Sequence, residues 1–272
     1  MRLHTVLFLL VSLLLAQPTA AQPAPTASLA GEVTDAVTGQ KLAFASVYLN
    51  GTTRGVTTNE RGYFRLEGIA LGTVELVASY TGYAPTRRTV RVDKAGELAV
   101  NLSLSATTLT LNETVVTARR DETWLRQTRQ VEQALLGQSG FANQCRLVNP
   151  ETLTFSTAGT LLTAVAREPL VIENGALGYR IVYTLAGFRL DGDKVYYGGT
   201  SLFSELTPGN ARQSRQWQRN RQVAYRGSLR HLLSSLVANT HEREGFWFTR
   251  PTPTGRCRAA RPPYWPMTWV GD

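Results

Sequence analysis

Gly31-Glu-Val-Thr-Asp-Ala-Val-Thr-Gly-Gln40, Ala45-Ser-Val-Tyr-Leu-Asn-Gly-Thr52, Thr57-Thr-Asn-Glu-Arg-Gly-Tyr-Phe64 and Thr73-Val-Glu-Leu-Val-Ala-Ser-Tyr-Thr-Gly-Tyr83 follow one another as short apolar–polar alternations cut by Gly, Asn and Asp. Alternation with a period of two places every second side chain on one face, and the breaks are turn residues, so the pattern describes antiparallel strands sharing a core. Seven strands are expected: Leu29–Thr34, Ala45–Asn50, Arg54–Thr58, Tyr63–Glu67, Gly72–Tyr80, Thr86–Val92 and Leu98–Leu104. Val47 and Leu49 share a face. Val90 and Val92 point inward while Arg87 and Arg91 point to water. Strands of this length and spacing suit a two-sheet β-sandwich over residues 29–104.

The same motifs, in the same order, resemble the carboxypeptidase-like regulatory domain family. That resemblance implies a transthyretin-like (prealbumin-like) sandwich. Such a domain sits beside the enzyme in metallocarboxypeptidases and precedes the plug in many Gram-negative outer-membrane nutrient receptors, and in neither setting does it imply catalytic residues. A fold of this kind carries no site by itself. Leu109-Thr-Leu-Asn-Glu-Thr-Val-Val-Thr-Ala118 is similar to the energy-coupling box of nutrient receptors, which is recognised by strand addition. Too little chain follows for a plug and barrel, so residues 105–120 are read as a linker strand.

At the other end, Arg2 and His4 precede the apolar run Val6–Ala16, and Thr19-Ala-Ala21 supplies small residues for cleavage. The run is short for a membrane span, which needs roughly 20 apolar residues, and Gln17-Pro18 interrupts it. Residues 1–21 are therefore read as a removed signal peptide and 22–28 as a flexible lead-in. The mature chain is expected to be exported, to the periplasm or to the outer membrane and cell surface.

The net charge is +9, and Lys occurs only at positions 41, 94 and 194, so arginine supplies the excess. In a cytoplasmic chain this balance would suggest nucleic acid; in an exported one the acidic partners are lipid phosphates, glycans or envelope proteins. Two cysteines, Cys145 and Cys257, permit one bridge in an oxidising compartment. A loop of about 110 residues closed by it would contribute roughly 4 to 5 kcal/mol in the chain-entropy picture.

Beyond residue 120 the texture changes to that of an α+β domain, residues 121–249. Trp124, Leu125, Val131, Leu135 and Leu136 recur at helical spacing before Gly137, which predicts a helix over Glu122–Leu136. Strands are expected over Thr152–Ser156, Leu161–Arg167, Leu170–Glu173, Tyr179–Leu190 and Lys194–Leu202. Asn210–Leu236 reads as two helices, the first carrying Trp217 and Tyr225 and stopped by Gly227, the second capped by Ser228. Leu147-Val-Asn-Pro-Glu151, Glu168-Pro-Leu-Val-Ile-Glu-Asn174 and Ala224-Tyr-Arg-Gly-Ser-Leu-Arg-His231 are similar to the region that follows the sandwich in certain exported proteins. That likeness implies no activity. Residues 250–272, rich in Arg and Pro, read as a disordered or truncated tail.

Little in the chain suggests catalysis. His241-Glu-Arg-Glu244 has the His-x-x-Glu spacing of a zinc pair, but no His follows it to complete a ligand set, so it is read as a helix-end cluster. His231 reads as an ordinary helix residue, and no Gly-x-Ser-x-Gly turn or phosphate-cradling glycine motif is present. Arg212, Arg215, Arg219, Arg221, Arg226 and Arg230 crowd one helical region. Their guanidinium forks suit an acidic partner or lipid headgroups, and the same pattern also fits a solvated face with the aromatic residues turned inward.

The expected function is that of a non-enzymatic envelope protein with a binding or spacer module, without cofactor or metal, offering turns at Asn50-Gly51 and Asn59–Gly62. Two alternatives stay open. One is a relative or fragment of a nutrient receptor or of a peptidase accessory region, and the other is a hydrolase with its site in the second domain.

Overall fold

The computed structural model describes residues 26–107 and 122–248. The expected signal peptide, most of the lead-in and linker, Cys257 and the tail fall outside the described residues.

The sandwich is built from nine strands: β1 (Thr26–Asp35), β2 (Ser46–Leu49), β3 (Gly55–Thr57), β4 (Tyr63–Ala70), β5 (Gly72–Ser79), β6 (Tyr83–Ala84), β7 (Thr86–Val92), β8 (Gly96–Ala99) and β9 (Leu102–Ala106). One sheet runs β4-β1-β9-β6 with β8 also on β1, and the other runs β3-β2-β5-β7. Between them lies the core, with Leu29, Val33, Val47, Phe64, Ile69, Leu76, Leu102 and Leu104 almost wholly withdrawn from water.

Two sequence expectations need correction. The seventh strand is broken: Leu98–Leu104 becomes β8 and β9, with Val100 and Asn101 between them. At the break the Val100 carbonyl sits so close to Gly31 that a Cβ there would lie 2.1 Å from its oxygen, and Asn101 Oδ1 accepts the Glu32 N–H at 3.1 Å. Only glycine at position 31 allows that approach. The second correction is direction, for β1 is antiparallel to β4 but parallel to β8 and β9. Alternation reports which face a side chain takes, and it is blind to the direction of the neighbouring strand.

After helix α1 (Glu122–Leu136) comes a six-stranded sheet of β10 (Cys145–Leu147), β11 (Leu153–Ala158), β12 (Leu161–Ala166), β13 (Leu170–Asn174), β14 (Tyr179–Asp191) and β15 (Lys194–Glu205). The helix packs on it through Val131, joining Leu147, Leu153, Leu162, Leu170, Ile172 and Phe188 in a second core. Trp124 Nε1 donates to the Leu153 carbonyl at 3.4 Å and Gln127 to Thr157 Oγ1 at 3.0 Å, fixing its first turns. On the opposite face, directly paired residues of three neighbouring strands form an ion triad, with Glu173 between Arg180 (2.6 Å) and Arg146 (2.9 Å). Arg180 first, then Arg146, holds the Glu173 carboxyl below its usual range.

β14 and β15 form a long hairpin with one irregularity. Leu185 pairs with Gly199 and Gly187 with Gly198, leaving Ala186 as an extra residue on β14. This bulge shifts the alternation by one. Ile181, Tyr183 and Leu185 face the core before it, and Phe188 and Leu190 face the core after it. Beside the bulge Gly199 is obligatory, because an added Cβ would lie 2.3 Å from the Thr184 carbonyl oxygen and 2.7 Å from the Tyr183 ring.

The hairpin also holds the sandwich. Tyr48 projects from the outer face of β2, away from the sandwich core, yet is only 4% exposed. Its hydroxyl lies 3.0 Å from Thr200 Oγ1, and Leu202 packs over Gly55. Asn50 Oδ1 accepts the Ser201 N–H at 2.8 Å, Gly51 N–H donates to the Ser201 carbonyl at 2.8 Å, and Phe203 N–H donates to the Thr52 carbonyl at 2.9 Å. The Asn50-Gly51 turn, expected to be offered to a ligand, is instead occupied by this joint. The described residues up to Thr207 form one compact unit and those from Pro208 another.

In the second unit, α2 (Ala211–Tyr225) and α3 (Leu229–Val237) meet at Arg226-Gly-Ser228. Asn210 Oδ1 caps α2 by accepting the Gln213 N–H at 2.9 Å, and Ser228 Oγ caps α3 by accepting the His231 N–H at 3.1 Å. Gly227, at φ 77°, makes the turn. Among the described residues no helix is long and apolar enough to cross a membrane.

Candidate functional site

The Ala186 bulge that re-aims β14 also opens a hollow. Beyond it, Gly187 faces Gly198 and Arg189 faces Tyr196, on the side of the sheet away from its core. Two glycines opposite one another leave no side chains on that patch, and the space is bounded by Arg189, Tyr196 and Asp191, with Tyr197 at its edge. The hollow has a volume of about 680 Å³ and is open to water. Close to the hairpin turn, Tyr196 is 63% exposed, and Tyr197, paired with Phe188, is 51% exposed. Asp191 is steadied by the Thr160 hydroxyl, which donates to Oδ1 at 2.8 Å. The sequence showed Gly198-Gly199 and Asp191-Gly-Asp193, but pairing across the hairpin is what gathers the residues.

A smaller hollow lies on the sandwich at Phe44, Asn59, Glu60 and Arg61. Phe44 adopts φ 61° and is exposed. Asn59 Oδ1 is already engaged, accepting the N–H groups of Arg61 and Tyr63 at 3.0 Å each, so this turn satisfies itself.

The residues singled out in sequence disperse. Arg212, Arg215 and Arg219 form an exposed stripe on α2, at i, i+3 and i+7, while Trp217 is buried on the other side. Arg226 and Arg230 are exposed at the start of α3, and Arg221 is half-buried on the Trp217 side. Cys145 is half-buried, its thiol donates to the Phe141 carbonyl at 3.6 Å, and burial raises its pKa. Its expected partner lies outside the described residues.

Nor does the His-x-x-Glu pair assemble. Glu244 turns to His231, Oε2 lying 3.4 Å from Nε2, and His241 packs against Phe248. His231 Nδ1 accepts the Gly227 N–H at 3.1 Å, and its ring lies between Tyr225 and Phe246, each at 4.9 Å. It ties the turn after α3 back to the helix start. Among the described residues no three His, Cys, Asp or Glu side chains are grouped to hold a metal.

The architecture of residues 26–107 is that of a transthyretin-like β-sandwich. Residues 29–116 match the CarboxypepD_reg-like domain family. The duck (Anas platyrhynchos) carboxypeptidase D is 37% identical over 84 residues, which is 30% of this chain and 6% of that protein. Among solved structures, the C-terminal domain of the shaft pilin SpaA from Lactobacillus rhamnosus GG is matched over 98% of its length and 30% of this chain, at 14% identity and TM-score 0.23. A candidate carbohydrate-binding protein from Bacteroides uniformis is matched over 80% of its length and 66% of this chain, at 14% identity and TM-score 0.26. These structural scores bear on no ligand.

Proposed function

We propose that this chain is an exported, non-enzymatic binding module of the cell envelope, and that the hollow on β14 and β15 takes a saccharide. The sandwich serves as the base on which the hairpin is mounted. A pyranose ring presents a flat C–H face to an aromatic ring and vicinal hydroxyls to paired donors and acceptors. Tyr196 offers an exposed ring, Arg189 a planar fork of donors, and Asp191 carboxylate acceptors. The volume lies within the range of small-ligand sites. The observation that carries this reading is the exposed Tyr196 standing beside a facing glycine pair.

Titration calorimetry of the full chain with a panel of soluble oligosaccharides tests it. At least one class should bind, and Tyr196→Ala should weaken that binding about tenfold or more, the loss of one stacking contact with its desolvated neighbours. Absence of saccharide binding, or binding indifferent to Tyr196, would reject the site. Export is tested separately by the intact mass of the protein recovered from cell fractions. An envelope form beginning near Gln22 is expected, and an uncleaved cytosolic form would overturn the localisation.

A further inference from the structure

α3 is turned inside out. At helical spacing Leu229, Leu233 and Leu236 form one stripe, with Val237 at its edge, and His231 and Ser235 lie opposite. In a helix packed on a core the leucines would be covered, but here the buried residues are His231 and Ser235. Leu229 is 70% exposed and Val237 92% exposed, with Leu233 and Leu236 also open to water. Trp247 and Phe248, just past the turn, are exposed as well. Several large apolar side chains so close in the chain are far from the scattered exposure normal for a surface.

The charge carried by the two helices themselves has a single sign, with acidic residues returning only at Glu242 and Glu244 after α3. Between Glu205 and Glu242 the sequence contains no Asp or Glu, while it places Arg212, Arg215 and Arg219 along α2 and Arg226 and Arg230 beside the apolar stripe. None of these arginines has an ion-pair partner among the described residues. An acidic protein surface would satisfy the arginines but leave the leucines wet, and an apolar protein surface would do the reverse. Phosphate headgroups above an acyl boundary satisfy both at once, with an indole and a phenyl ring suited to the interface between them.

We infer that the helical unit from Pro208 onward docks onto an anionic lipid surface, with the α3 leucines and Trp247 entering the headgroup–acyl boundary and the arginines engaging lipid phosphates. This is independent of the saccharide hollow, which lies in the other unit.

The test is sedimentation of the full chain with large unilamellar vesicles of phosphatidylglycerol and phosphatidylcholine, compared with phosphatidylcholine alone. Partitioning should be strong on the anionic vesicles and fall steeply as salt is raised. Each arginine near an anionic leaflet contributes about a fivefold factor, so the triple variant Arg212→Gln, Arg215→Gln, Arg219→Gln should lose about a hundredfold. Leu229→Ser with Leu233→Ser should weaken binding even at low salt, and both sets replace exposed side chains and leave the fold intact. A blue shift of tryptophan emission on binding, lost in Trp247→Ala, would place that ring in the interface. Failure to bind anionic vesicles at low salt overturns the inference. So does binding that the leucine substitutions leave unchanged, which would indicate a merely ionic contact with any acidic surface.

Discussion

Asp35 shows how much one carboxylate can organise. Its Oδ1 accepts the N–H groups of Thr38 at 2.7 Å and Val37 at 2.8 Å, and its Oδ2 accepts the Tyr83 hydroxyl at 2.9 Å. The Thr38 N–H, then the Tyr83 hydroxyl, then the Val37 N–H hold its pKa down to about 2. An unfolded Asp titrates near about 3.9, so the folded state gains stability from this group at higher pH and loses it as pH falls through about 4 toward 2. Tyr83→Phe removes one of the acceptor's partners. A carbon-detected NMR titration of Asp35 in that variant should show its pKa moved upward, and the acid limb of unfolding should begin at higher pH. An unmoved titration would mean that the backbone N–H groups suffice alone. The Asp-Ala-Val-Thr-Gly run announced this turn in the sequence, but its reach to Tyr83 is tertiary and left no local mark.

Among the elements, helices and strand positions were legible because periodicity, caps and glycine stops all agreed. Glu122–Leu136 was read with its final bounds, and Ser228 was placed as the cap it is. The Ala186 bulge was not legible. Tyr179–Leu190 has the length and composition of one strand, and a shift of one residue within it leaves both faces partly apolar, so alternation cannot reveal it. Deleting Ala186 tests its role: with the shift removed, Phe188, now 2% exposed, would leave the second core. A loss of about 3 to 5 kcal/mol is expected in urea denaturation, comparable to truncating a buried Phe. A variant of undiminished stability would show that the strand can slip without cost. The reversed burial of α3 was likewise hidden. A stripe of leucines looks the same in sequence whether it faces a core or a partner.

For the whole molecule, composition marked a change of texture at 105–120, and the packing adds a joint between the sandwich and the six-stranded sheet within one compact unit that reaches Thr207. The joint rests on few residues, chiefly Tyr48, Asn50, Gly51, Thr52, Thr200, Ser201 and Phe203; Asn50-Gly51 was legible as a turn, but nothing in the sequence marked it as a contact for a distant strand. It predicts that the two sheet systems melt together. Scanning calorimetry should give one cooperative transition for them in the native chain, and Tyr48→Ala combined with Asn50→Ala should split it into two. A double variant that still melts as one would place the coupling elsewhere.

Tyr48 and Val77 carry a further consequence. Both are nearly withdrawn from water although they lie, directly paired, on the side of their sheet away from the sandwich core, where Tyr48 meets Thr200 of β15. Anyone cutting the chain at the family boundary would therefore strip the cover and leave an aromatic and a β-branched side chain on a bare pleated surface. Such an excised piece should self-associate at concentrations where the longer chain stays monomeric, and its behaviour would then report on the cut rather than on the native protein.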